Sequence, residues 1–354
     1  MDVAIWRWPL AGCCWPITHA PLYHPPLVST TSLPTSIANL PLTSPVILAA
    51  GTAGYLDELA DCLDLSQVGA VVTKSITPEP REGNPAARIL DSRCGMLNAI
   101  GLANVGLDHF LEHFAPRIEG VPTTVIGSIA GFRIEDYLQV AAAFDDLEHL
   151  PAVEINVSCP NVRAGTEFGS DPGAIRELIA ALRPVLTRTR LFVKLSPITF
   201  EPPGLTAIAR AAIDPGAAPA GPNSRPGADA LVIANTIPAM EIDPETRRPR
   251  LANITGGLSG PALHPVVTRL IHQTYTQIAR DTDTPIIGVG GVLNWRDAAQ
   301  FILAGASALE MGTALFVDPR LSVKVGKGLR RWVMRQGVES IADLVGRVET
   351  AQST

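Results

Sequence analysis

TPIIGVGGVLNWRDAAQFILAGASALEMGT, residues 284–313, decides the fold. Pro285–Val289 is a short apolar run of the kind that forms a buried strand. The turn Gly288-Val289-Gly290-Gly291 closes it, Asn294–Ala304 then carries apolar residues at helical spacing, and Ala308–Met311 is a second buried run. Strand, glycine turn, helix and strand in this order predict one unit of a parallel α/β structure.

Working outward, the same alternation runs from residue 45 onward. Further strands are predicted at Val46–Ala50, Ala70–Thr73, Thr124–Ile129, Val153–Val157, Leu191–Leu195 and Ala230–Ala234. Helices are predicted at Asn104–Phe114, Ile134–Leu147, Asp171–Leu186 and Pro265–Arg280, with Asp171-Pro172 a capping acid followed by a first-turn proline. Eight strands alternating with helices predict a (β/α)8 TIM barrel, with a parallel eight-stranded core and inserted loops over its C-terminal mouth. A doubly wound sheet would require a glycine-rich phosphate turn after the first strand. Here that turn is Ala50-Gly51-Thr52-Ala53-Gly54, which lacks the third glycine, whereas the double glycine falls after strand seven, where barrels bind phosphate. Two stretches break the pattern. Residues 213–228 are proline-rich and read as a surface loop, and 236–262, with the polar run Glu241–Arg250, read as a hairpin over the mouth. The expected organisation is an irregular extension over 1–35, the barrel over 36–335, and a C-terminal helix and tail over 336–354.

The formal net charge of −6 leaves no basic footprint for nucleic acid. Cys13, Cys14, Cys62, Cys94 and Cys159 show no paired C-x-x-C units. A disulfide framework, a zinc site or an iron–sulfur cluster held by this chain alone is therefore disfavoured, no metal is expected, and a reducing cytoplasm is the simplest compartment. Cys13, Cys14, His19 and His24 could suggest a metal site, but their spacing and context are weak and the expected reading is a tail with nothing bound. No Asp, Glu, Lys or Arg occurs from Trp8 to Leu56, but eight prolines in that stretch break any helix of membrane-spanning length, so no membrane span is expected.

Barrel enzymes place their chemistry at the C-terminal strand ends. Those ends carry Lys74-Ser75, Asn156-Val157-Ser158-Cys159-Pro160-Asn161, Lys194, Asn235-Thr236, Gly290-Gly291 and Gly312-Thr313, and a loop after strand two adds Asn98-Ala99-Ile100-Gly101-Leu102. Singly, a strand-end lysine is usually a surface group, a lone cysteine a small core residue, and a glycine pair a turn. Their convergence on one mouth changes the reading. The set is read as having no carboxylate pair, histidine base or metal triad, which disfavours glycoside and metal-assisted hydrolysis. Amides and lysines suit a small planar anion bearing carbonyl and N–H groups. The glycine turns offer backbone N–H groups to a phosphate, and the cysteine can act as acid–base or nucleophile.

VTKSITPEPREGNPAARI (72–89), GMLNAIGLANVG (95–106), INVSCPNVRAG (155–165), VKLSP (193–197), ANITGGLSGPA (252–262) and IIGVGGV with ALEMGTALF (286–316) together resemble dihydroorotate dehydrogenase, and the NAIGL, TGGLSGPA and EPREGNP segments resemble the type 1B catalytic subunit most. The resemblance runs from about residue 36 to 335. It implies an FMN-dependent barrel, one FMN per chain, that oxidises (S)-dihydroorotate to orotate in pyrimidine (UMP) biosynthesis. In that family a cysteine removes the C5 proton while the C6 hydride passes to the flavin, and Cys159 stands in that place. It further implies that Lys74, Asn98, Ala99, Ile100, Gly101, Leu102, Asn156, Asn161, Asn235 and Thr236 hold the substrate. Lys74, Ser75, Asn156 and Lys194 would touch the flavin ring or ribityl chain, with Ala50, Ser128, Ala234 and Gly260 beside it and Gly290, Gly291, Gly312 and Thr313 near the phosphate. The family often has serine at the place of Ala50 and asparagine at that of Ser128. Type 1B enzymes pass electrons to a partner subunit with FAD and a [2Fe–2S] cluster and on to NAD, so such a partner, in a heterotetramer, or a homodimer with a soluble acceptor such as fumarate, is implied. The competing readings are a dihydropyrimidine dehydrogenase-like subunit, a non-catalytic flavoprotein on the same barrel, and a phosphate-binding barrel isomerase.

Overall fold

A computed structural model describes residues 33–158, 168–197 and 204–349. Eight parallel strands close into a barrel: β1 Val46–Leu48, β2 Ala70–Val72, β3 Thr124–Ile129, β4 Ala152–Asn156, β5 Arg190–Leu195, β6 Ala230–Ile233, β7 Ile286–Val289 and β8 Ala308–Met311. They follow one another around the ring in sequence order, and the pairing of Leu309 with Val46 closes it. Every predicted strand is present. The predicted runs overshoot to Ala50, Thr73, Val157 and Ala234 because the residues just past the strand ends remain largely buried, so composition does not mark where the ladder stops.

The period of two sorts each strand into two environments. Ile47, Ala70, Val72, Ile126, Ala152, Phe192, Ala230, Val232, Ile287 and Ala308 point inward and form one buried cluster. Their neighbours, among them Val153, Ile155, Val193, Leu231, Ile286 and Leu309, point outward into a second cluster shared with the helices. Those helices are α1 Leu107–His113, α2 Ile134–Asp145, α3 Pro172–Leu182, α4 Gly204–Ile213, α5 His264–Thr274 and α6 Trp295–Ala304, followed after β8 by the single turn α7 Ala314–Val317 and the long α8 Leu321–Gln336. Asp171 caps α3 by accepting from the Gly173 N–H at 2.8 Å. Asn294 and Asp297 form a reciprocal capping box on α6. Past α5 the predicted helix continues through one wider turn, Tyr275–Ala279, whose Tyr275 ring lies where a Cβ on Gly305 would have to sit.

The charge-free early sequence has a concrete use. A hairpin of Thr35–Ile37 and Leu40–Leu42 places Ile37, Leu40 and Leu42 in the barrel's interior cluster. Arg190 clasps its turn by donating to Ala38 O (2.7 Å) and Asn39 O (2.9 Å), and Asn223 of the proline-rich loop donates to Ala38 O (3.0 Å). That loop is anchored beneath by a fully buried pair, Arg183 Nη1 to Asp229 Oδ2 at 2.8 Å. No helix among the described residues is long and apolar enough to cross a membrane.

Over the opposite end lies a four-stranded antiparallel sheet, in the order Ile237–Ala239, Gly256–Ser259, Gly95–Asn98, Ile89–Ser92. Its strands come from the insertions after β2 and after β6. A small hairpin, Ile242–Asp243 with Arg248–Pro249, occupies the predicted polar stretch. The antiparallel pair Ile237–Ala239 with Gly256–Ser259 matches the expected hairpin over the mouth, but its joining to residues 89–98 is not legible in sequence, because these half-exposed strands of three or four residues are too short to show a strand-like period.

Candidate active site

The strand ends and the mouth sheet enclose a cavity of about 1070 Å³. Ala50, Lys74, Ser75, Asn156, Lys194, Ala234, Asn235 and Thr236 line it from the barrel. Asn98, Ala99, Ile100, Gly101, Leu102 and Gly260 line it from the insertions, and Gly290, Gly291, Gly312 and Thr313 from the ends of β7 and β8. Ser128 does not reach the wall. It is fully buried one layer down, its hydroxyl 2.9 Å from that of Ser75, which stands in front of it. Cys159, Asn161 and the polar loop expected after them fall on residues 159–167, outside the described residues, as do Cys13, Cys14, His19 and His24.

The Asn98–Leu102 loop is held by hydrogen bonds from a neighbouring segment. Asn84 donates through Nδ2 to Ala99 O (2.9 Å) and through its backbone N–H to Ile100 O (3.0 Å), and Arg88 donates to Asn84 O (3.2 Å). The 79–88 segment is thus a brace that holds Asn98–Leu102 against the cavity. Asn98 Nδ2 donates to Gly257 O at 3.3 Å across the mouth sheet. Only glycine fits at 257, because a Cβ there would collide with the Thr236 hydroxyl.

A second network runs along the floor's edge. Asn235 Nδ2 donates to Asn156 Oδ1 (3.1 Å) and to Ser158 Oγ (3.0 Å), while its own Oδ1 accepts from the Thr236 N–H (2.8 Å). Asn156 Oδ1 also accepts from the Ser158 N–H (3.1 Å), and Ser158 Oγ lies 2.8 Å from Ser196 Oγ. Both amides are oriented before any ligand arrives, and the chain is fixed at Ser158, one residue before Cys159. Ser158 and Ser196 carry no catalytic signature in sequence; only their place just after β4 and β5 points to them.

Lys74 is half-buried on the wall, its Nζ 3.5 Å from the point where a Cβ on Gly51 would stand. Burial, then the positive charge of Arg88, pushes its pKa below the ordinary lysine value. Among the described residues it forms no ion pair within 4 Å, which leaves a desolvated cation facing an open cavity.

The floor corrects one expectation. The mouth does hold a carboxylate pair: Glu154 of β4 and Glu310 of β8 both contact Lys194 of β5, at 3.2 and 2.6 Å. All three occupy inward positions, two residues on from Ala152, Ala308 and Phe192. In sequence Glu154 and Glu310 fall inside apolar strand runs, where a single charge within each run is the available signal. Burial and the negative charge of Glu310 push the Glu154 carboxyl well above the usual carboxylate range, against the pull of Lys194. Burial opposes the Lys194 charge, but Glu154 and Glu310 outweigh it and hold the ammonium above its ordinary pKa.

This donor set fits a flavin mononucleotide. The polar floor and Ser75 can meet a planar ring with polar edges. The rim beside Gly312 is open, a Cβ there touching only Ala49 and Thr52 at 3.7 and 4.0 Å. Gly260 and Gly291 approach so closely that a Cβ on Gly291 would stand 2.6 Å from Gly260 O. Such a rim brings backbone near a phosphate without side chains in the way.

Comparison with known proteins agrees with this geometry. The family model described as Dihydroorotate dehydrogenase matches residues 32–333. A protein of Phocaeicola vulgatus named "Dihydroorotate dehydrogenase B (NAD(+)), catalytic subunit" is 41% identical over 318 residues, covering 90% of this chain and 99% of the relative. Proteins of the same name from Citrifermentans bemidjiense and Parabacteroides distasonis are 41% and 42% identical over 315 residues, covering 89% of this chain and 97% of each relative. With the barrel, the lysine-and-amide cavity and a match spanning nearly all the described residues, the chain belongs to the dihydroorotate dehydrogenase family.

Proposed function

We propose that this chain is the catalytic subunit of a type 1B enzyme: it oxidises (S)-dihydroorotate to orotate with FMN in the cavity, and hands the electrons to a partner subunit carrying FAD and a [2Fe–2S] cluster and thence to NAD. The observation that carries the reading is Lys74, a desolvated cation without an ion-pair partner among the described residues, set beside the braced Asn98–Leu102 loop and the Asn156–Asn235 amide pair. A carboxylate on a small ring with alternating N–H and C=O groups satisfies all three together.

FMN supplies the two-electron acceptor for the hydride leaving C6. The chain supplies the rest. Lys74 fixes the substrate carboxylate, and the amides, held by their own hydrogen bonds, fix the ring so that C5 faces the end of β4. Cys159, next after Ser158, takes the C5 proton onto Sγ; a thiol near pKa ~8.5 needs only modest help to act as that base. The mouth sheet excludes water from the reacting face. Phe316 and Val317 are 54% and 75% exposed while lining the cavity rim, and an apolar rim of this kind supports docking of an electron-accepting partner there. A pyrimidine-synthesis enzyme of this type works in the cytoplasm.

The test is an absorbance spectrum of the purified chain followed by anaerobic dihydroorotate. A flavin spectrum that bleaches supports the assignment. Bleaching by dihydrouracil instead would transfer it to the dihydropyrimidine class, and a colourless chain that takes up no FMN would refute it.

A further inference from the structure

Three charged side chains meet beneath the cavity from strands 4, 5 and 8: Glu154 reaches Lys194 from the adjacent strand, and Glu310 reaches it across the barrel's interior. The carboxylate side chains are each 1% exposed and the lysine 8%. The interior around them is apolar, with Val72, Val232 and Ile287 among its members. Two ionised carboxylates on one ammonium would leave a net negative charge in this setting, the costly state for a buried cluster. Like charges sharing one partner do not both ionise readily. Glu154 Oε2 is buried without a hydrogen-bond partner, a poor place for carboxylate charge. Charged groups facing the same cavity from other elements are Lys74, Arg81 and Asp91, all on the walls.

We propose that Glu154 and Glu310 are a redundant pair of positioning residues that carry one negative charge between them, so that Lys194 meets the flavin as a charge-compensated hydrogen-bond donor and either carboxylate alone suffices to compensate it. The inference rests on the flavin reading above. A bare ammonium at this position would favour the electron-rich flavin; the compensated one holds the reduction potential down.

The experiment is spectroelectrochemistry of the FMN-loaded protein at neutral pH, comparing wild type with Glu154→Gln, Glu310→Gln and the double variant. In either single variant the remaining carboxylate takes the whole charge, and the potential stays near that of wild type. The double variant uncovers Lys194 and shifts the equilibrium toward reduced flavin by tenfold or more, about 30 mV for a two-electron couple. A single variant that moves the potential as far as the double one, or a double variant that does not move it, overturns the proposal. Infrared difference spectra give an independent reading that needs neither the double variant nor flavin. A buried protonated carboxyl is expected in wild type and absent from both single variants; its absence from wild type, or its persistence in both variants, overturns the proposal equally. A chain that binds no FMN refutes the flavin reading itself, and the infrared result still decides whether the pair shares its charge.

Discussion

Replacing Lys74 tests the substrate assignment most directly. Its ammonium is half-buried, desolvated enough to lower its pKa, and faces the cavity with no ion-pair partner among the described residues. A charge-assisted hydrogen bond to a ligand carboxylate contributes about 1.5–3 kcal/mol. At about 1.4 kcal/mol per tenfold, its loss weakens binding roughly 10- to 100-fold. A close pair at an effective dielectric of about 20 has a Coulomb energy of ~4 kcal/mol, which sets a ceiling near a thousandfold. Calorimetric titration of orotate into FMN-loaded Lys74→Met and wild type measures this. The pH series adds a signed expectation. Because the lysine pKa is lowered in the ligand-free protein, wild-type affinity falls as pH rises through a value below that of an ordinary lysine, whereas the methionine variant lacks that limb. Ligand-free stability runs the opposite way: it rises as pH climbs through the lowered pKa, and this rise is absent from the variant. Wild-type affinity and an unaltered pH profile in Lys74→Met would refute the argument that this cation holds the substrate carboxylate.

Cys159→Ser should retain FMN and slow anaerobic flavin reduction by dihydroorotate by orders of magnitude near neutral pH, since a hydroxyl is the far weaker base; unchanged stopped-flow rates would remove the thiol from the mechanism. Gly257→Ala should spoil orotate binding while FMN affinity and the fold persist, because the new Cβ displaces Thr236 and breaks the contact with Asn98; normal orotate titration would show that the sheet edge can shift. Asp229→Ala leaves the Arg183 guanidinium uncompensated in a fully buried site and should cost about 3–5 kcal/mol in denaturant unfolding, with little effect on substrate KM. A loss below about 1 kcal/mol would mean that water reaches Arg183 once the carboxylate is gone.

Much of the scaffold is legible in the chain because strands and helices are written in local periods. Pro285–Val289 and Ala308–Met311 announce strands through continuous apolar character, and Asp171-Pro172 announces a helix start through capping chemistry that acts over three residues. The cavity wall follows from the same logic: once the strands are placed, the residues after each one converge at a shared end, and Lys74, Asn156, Asn235 and the glycine turns stand there. Ser128 escapes this logic. Its position near the end of β3 suggests the wall, but Ser75, just past the neighbouring β2, closes over it, and occlusion by a neighbour is not a local property.

What lies beyond local pattern is long-range. The mouth sheet joins residues 89–98 to residues 237–259, and nothing in either half-exposed, glycine-bearing stretch announces its partner. Lys194 looks like a lone strand-end cation, and Glu154 and Glu310 look like blemishes in two apolar runs separated by more than a hundred residues. The strand order, the inward and outward faces and the residues of the mouth are therefore consequences of sequence periodicity. The charge state of the floor belongs to the tertiary structure alone, because only closure of the ring carries the fourth and eighth strands to opposite sides of one small interior, where side chains from both reach the same ammonium.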